Sequence, residues 1–105
     1  MTYRFLRAAR REFDAAVDWY AARSGTVASR FIASIHAVVR LVCEMPHSGK
    51  QWRERDDLRT FPVADFPYVL FYLVEPSEIV IVAVAHGKRR PGYWLGRLRR
   101  RRRSH

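Results

Sequence analysis

The chain has 105 residues, 49% of them apolar and 13% aromatic, which supports one modest core and excludes both a second domain and a wholly disordered chain. Its formal charge of +10 is uneven: residues 1–85 hold eleven Lys or Arg against ten Asp or Glu, and nine basic residues with no carboxylate follow His86. A near-neutral body with a cationic end points to a polyanion or an acidic protein surface as partner.

The N-terminal run Met1-Thr2-Tyr3-Arg4-Phe5 lacks the apolar stretch of a signal peptide, and no apolar run approaches bilayer-spanning length, so a soluble cytoplasmic protein is expected. Tyr3 and Phe5 alternate with Thr2, Arg4 and Leu6 as in a short first strand. From Ala8 to Arg23, Ala9, Phe13, Ala16, Val17 and Tyr20 recur at three- and four-residue steps, with Arg10, Arg11, Glu12, Asp14 and Asp18 between them. This predicts an amphipathic helix with one buried face.

Ser24-Gly25 is expected to close that helix, with Gly25 left-handed and Thr26 capping the next one. Ala28, Phe31, Ile32, Ile35, Val38, Val39 and Val42 mark the buried stripe of a second helix, which stops near Met45 because Pro46 disfavours helical geometry before it. So short a connection makes the two helices an antiparallel hairpin. Cys43, the only cysteine, falls in this apolar pattern as a buried, inert thiol, and no intramolecular disulfide is possible.

Residues 46–57 read as a polar loop with Trp52 packed back on the body. Three β-rich runs follow, Leu58–Val63, Tyr68–Val74 and Ile79–His86, with Pro76-Ser77 in a tight turn between the last two. They predict a meander, with Pro62 making its first strand either short or an edge strand. The last two runs are apolar on both faces and so require cover on each side. The predicted fold is a two-layer α+β sandwich in the order β-α-α-β-β-β, a helix hairpin on a small antiparallel sheet, spanning residues 1–97. The hairpin covers one face; a partner is expected on the other. Residues 98–105 read as a basic tail outside the fold, either merely solvated or adding salt-dependent affinity for nucleic acid.

The densest functional cluster follows the most hydrophobic strand: His86, Lys88, Arg89, Arg90, Tyr93, Trp94 and Arg97. Guanidinium groups grip carboxylate or phosphate, and Tyr or Trp rings offer stacking faces, although Trp94 reads equally well as a hydrophobic lid. Arg59 points to the same strand face as Phe61 and Val63, either paired with Asp57 or Asp65 or sharing an anion-binding surface with Arg89 and Arg90. The four histidines show no metal spacing, and no phosphate loop or nucleophile elbow is present, so no metal or nucleotide cofactor is expected.

Phe13-x-x-Ala16 with Trp19-Tyr20, Arg30-Phe31-Ile32 with Ile35, Pro46-x-x-Gly49, Leu58-Arg59, Phe66-Pro67-Tyr68, Tyr72, and His86-x-x-Arg89 followed by Trp94 and Arg97 form an ordered set from end to end of the chain. That set resembles the RelE/ParE toxin superfamily of bacterial type II toxin-antitoxin systems. The resemblance implies a toxin held inactive by a cognate antitoxin whose acidic, apolar C-terminal segment wraps over the helices and sheet. Phe66-Pro67-Tyr68 and Trp94-x-x-Arg97 resemble the ParE branch, which implies inhibition of DNA gyrase through Arg59, Lys88, Arg89, Arg90, Tyr93, Trp94 and Arg97. The RelE branch would instead make it a ribosome-dependent mRNA endoribonuclease, with Arg59 and Arg89 stabilising the phosphate and His86 or Tyr93 moving the proton. Glu54, Asp56 and Asp57 interrupt the basic loop and would repel an RNA backbone. A nucleic-acid-binding module without toxicity is the third reading of the basic end.

Overall fold

A computed structural model describes residues 1–98. The elements are β1 (Thr2–Phe5), α1 (Arg7–Ala21), α2 (Gly25–Glu44), a 3-10 turn (Pro46–Ser48), β2 (Lys50–Trp52), β3 (Arg55–Pro62), β4 (Tyr68–Val74) and β5 (Glu78–His86). The architecture is α+β with the predicted order of strand, helix pair and meander, plus the short β2 inside the stretch that reads as a loop. Of the expected basic tail, residues 99–105 lie outside the described residues.

The five strands run β1-β5-β4-β3-β2 across one sheet. β3, β4 and β5 pair antiparallel as a meander, but β1 lies parallel to β5, from Thr2 opposite Glu78 to Phe5 opposite Ile81. The sheet is therefore mixed and not wholly antiparallel, because the intervening helix pair supplies the crossover that a parallel neighbour requires. β3 is an interior strand of eight residues, contrary to the short or edge strand expected from Pro62. Its ladder with β2 runs only from Arg55 to Thr60, so Pro62 sits past the end of β2 and no bond to that strand is lost.

The hairpin is joined by residues 22–24. Ser24, extended at φ −162°, caps α2 by accepting the Val27 N–H at its Oγ. The cap thus falls two residues before Thr26, and Gly25 is the first residue of α2 instead of a left-handed terminator. α2 has 20 residues with mean hydropathy 1.4, so by length and composition it is long and apolar enough to cross a membrane, more than its sequence pattern implies. Its stripe of Phe31, Ile35, Val38, Val39 and Val42 is instead spent on the sheet, while Arg30, His36 and Arg40 face solvent.

Two apolar clusters flank the sheet. Between helices and sheet lie Ala9, Phe13, Ala16, Phe31, Ile35, Val42, Leu70, Tyr72, Ile79 and Ile81. Phe31 meets Phe66 edge-on at 5.1 Å and Tyr20 meets Phe66 edge-on at 5.2 Å, the geometry the ring quadrupoles favour. On the opposite face Leu58, Leu73, Val80 and Val82 are covered by Trp94 and Leu98, not by a partner. Trp94 is 1% exposed and packs 4.5 Å from Phe71 and 4.9 Å from Trp52, ring to ring. Burying a side chain of that size contributes about 2–3 kcal/mol. Leu98, expected to open the tail, is buried as part of this lid.

Tyr72 pins the chain entering the sheet. Its hydroxyl donates to the Pro46 carbonyl at 2.8 Å and accepts the Gly49 N–H at 3.0 Å. A Cβ at position 49 would fall 2.7 Å from the Thr60 carbonyl and against the Tyr72 hydroxyl, which explains Gly at the end of Pro46-x-x-Gly49.

Candidate functional site

β5 delivers His86 to the rim of the sheet, and the chain turns there. The Gly87 N–H donates to the Pro67 carbonyl at 2.8 Å, the Lys88 N–H to His86 Nδ1 at 3.1 Å and the Arg89 N–H to the His86 carbonyl at 3.0 Å. These bonds leave Lys88, Arg89 and Arg90 exposed side by side. Gly92, at φ +79°, then reverses the chain, a conformation that costs glycine least, and lays residues 93–98 across the second face of the sheet.

Beside this cationic turn is a groove of about 460 Å³ between α1 and the ends of β4 and β5. Ala15, Ala16, Pro67 and Val84 line it together with Trp19, Tyr20, Tyr68 and Tyr93, and Glu12, His86 and Arg89 complete it. Two guanidinium groups sit over aromatic rings of the groove: Arg89 is 3.9 Å from the centroid of Tyr93, and Arg23 is 3.6 Å from that of Trp19. Trp19 is 53% exposed, an unusual position for so large an apolar ring. Stacking on Tyr93 leaves the edge of the exposed Arg89 guanidinium open to a carboxylate, whereas Arg23 donates from Nη1 to the Trp19 carbonyl at 2.7 Å.

The residues read from the sequence as one surface divide into three groups. His86, Lys88, Arg89 and Arg90 gather at the rim, with Tyr93 beneath Arg89. Trp94 is the lid of the second face and presents no stacking surface. Arg97 turns inward: its Nη1 donates to Glu12 Oε1 at 2.9 Å and to the Val82 carbonyl at 3.0 Å, and its Nη2 donates to Glu12 Oε2 at 3.1 Å. Burial opposes the charge on Arg97, but the hydrogen bonds and charge of Glu12 outweigh it and hold its pKa above the ordinary value.

Arg59 stands apart from the rim. It lies opposite Tyr72, which lies opposite Ile81, five residues back from His86 and so on the order of 15 Å along the strand. Its Nη1 donates to the Gly49 carbonyl at 2.9 Å and its Nη2 to Asp56 at 2.8 Å, so its ion-pair partner is Asp56 and not Asp57 or Asp65. With 13% of its side chain exposed, Arg59 secures the β2–β3 corner. The pair of Arg59 and Arg89 therefore does not converge on one phosphate.

Glu12 was hidden among the polar residues of α1. Its carboxylate accepts the Tyr93 hydroxyl, both Arg97 bonds and, at 3.0 Å, the Val84 N–H. The Tyr93 pKa is pushed up to about 12, first by burial and then by the hydrogen bond and charge of Glu12. A phenol so disfavoured as phenolate is a poor proton donor at neutral pH.

The model of the family described as ParE toxin of type II toxin-antitoxin system, parDE, matches residues 3–91. This chain belongs to the ParE toxin family. A chain in a solved structure titled "Chromosomal ParDE TA system from P. aeruginosa" shares the fold, with a TM-score of 0.69 and 22% identity over 82% of this chain and 95% of that one. No curated protein matches the sequence. The span matched to the ParE toxin family ends at Pro91, so Tyr93, Trp94 and Arg97, which close the second face and bind Glu12, lie beyond it.

Proposed function

We propose that this toxin acts in the cytoplasm by binding DNA gyrase and is neutralised by a cognate antitoxin. The observation that carries the reading is the cationic turn Lys88-Arg89-Arg90, exposed beside an aromatic groove on an otherwise near-neutral body. Such a rim suits a carboxylate-bearing protein surface, where charge speeds association and apolar contact supplies affinity. An antitoxin segment that is both acidic and apolar has the helix side and this groove open to it, because the other sheet face is already covered by Trp94 and Leu98. The distance of Arg59 from the rim, and the commitment of its guanidinium to Gly49 and Asp56, weigh against the endoribonuclease alternative, which needs basic groups converging on one phosphate.

The test is a paired assay of the purified protein on gyrase supercoiling and on ribosome-bound mRNA, alongside expression in bacteria. Growth arrest, blocked supercoiling and intact mRNA support the reading. Cut mRNA with supercoiling untouched would overturn it, and the absence of growth arrest would favour a binding module without toxicity.

A further inference from the structure

We propose that Glu12 is a positioning residue for target binding: it fixes the Tyr93 ring on which Arg89 stacks, and thereby aims Arg89 outward from the rim. This rests on the reading that the rim meets the target. A glutamate in the middle turn of a surface helix ordinarily points to water, yet the Glu12 side chain is 17% exposed and takes hydrogen bonds from three residues remote from it in sequence.

The reason lies in the sheet. β1 ends at Phe5, opposite Ile81, and the last bond from that side is the Leu6 N–H donating to the Ile81 carbonyl. Beyond it the edge of β5 has no strand neighbour among the described residues. Glu12 accepts the Val84 N–H and Arg97 donates to the Val82 carbonyl, so the ion pair continues the ladder where β1 runs out. Because the same carboxylate also accepts the Tyr93 hydroxyl, the ring is fixed to α1 and β5 together.

Arg89 is an exposed side chain on a turn, and such a chain loses considerable rotamer freedom when it binds. A ring held 3.9 Å beneath its guanidinium restricts it beforehand, so less is lost on contact. Releasing the ring should weaken binding about three- to tenfold, the cost of immobilising one such side chain.

The test is a mutant cycle read as the concentration that half-inhibits gyrase supercoiling, with each variant shown to be folded by circular dichroism. Glu12→Gln removes the carboxylate charge, and Tyr93→Phe cuts only the phenol bond, keeping the Glu12–Arg97 pair and an aromatic ring that is no longer tied to Glu12. Each is expected to weaken inhibition several-fold alone and to add nothing in an Arg89→Ala background. Equal losses with and without Arg89, or full potency in folded Tyr93→Phe and Glu12→Gln proteins, would overturn the role of Glu12 alone. Wild-type potency in Arg89→Ala, or no inhibition by the wild-type protein, would remove the rim reading and this proposal with it.

Discussion

Glu12 and Arg97 lie 85 residues apart in the chain and meet through two hydrogen bonds of 2.9 and 3.1 Å, joining the first helix to the last described turn. Both side chains are largely buried, at 17% and 15% exposure, so solvent screens the pair only in part. Contrast Arg10 and Asp14, also an ion pair, whose side chains are 61% and 57% exposed.

That contrast yields the first prediction. Glu12→Ala strands a buried guanidinium and leaves the Val84 N–H without its partner, and should lower stability by about 3 kcal/mol. Asp14→Ala, on the same helix, should change it by less than about 1 kcal/mol. Urea denaturation of the two variants measures the difference; equal midpoints would contradict it.

A second prediction concerns alkaline pH. The folded-state pKa of Tyr93, about 12, lies above the ordinary tyrosine value of about 10. A raised pKa means that the contribution is fully present below pH of about 10 and is lost as pH climbs toward 12. Stability measured across that window should fall more steeply for the wild-type protein than for Tyr93→Phe. Burial raises Tyr68 and Tyr72 as well, so phenolate absorbance should show a late-titrating tyrosine that is lost in Tyr93→Phe, and Glu12→Gln should bring it earlier.

The lid gives a third. Trp94→Ala opens a cavity against Phe71 and Trp52 and exposes Leu58, Val80 and Val82, and should cost about 3–5 kcal/mol. Thermal unfolding checks it. An unchanged midpoint would mean that residues 93–98 do not seal the second face.

Arg59→Ala belongs with these structural changes and not with the rim. It removes the donor to the Gly49 carbonyl and should destabilise the protein by about 1–3 kcal/mol. At temperatures where the variant stays folded, its inhibition of supercoiling should match that of the wild type; a large loss of potency in a folded variant would place Arg59 at the target.

Much of the fold was legible because its signals are local. Apolar steps of three and four residues marked Phe13, Ala16 and Tyr20 on α1 and Phe31, Ile35 and Val42 on α2, and those stripes are what the sheet buries. The two-sided apolarity of β5 correctly demanded cover on both faces. What supplies that cover was legible only in part: Trp94 could be read as a hydrophobic lid, but Leu98 stands alone between Arg97 and the arginines that follow it in the sequence. Charge alone could not separate Arg89, which stacks at the rim, from Arg97, which turns in to Glu12. The difference depends on a contact spanning almost the whole chain, and periodicity carries no information at that range. The parallel pairing of β1 with β5 escaped for the same reason, and β2 because three residues, two of them polar, form too short a pattern.

The rim is tested most directly by comparing the wild-type protein with Arg89→Ala/Arg90→Ala in a gyrase supercoiling assay. Both arginines are exposed, so the double variant should unfold within about 0.5 kcal/mol of the wild type. The account predicts that the wild-type protein blocks supercoiling and that the folded double variant has lost most of that inhibition. Equal inhibition by the two proteins would contradict it.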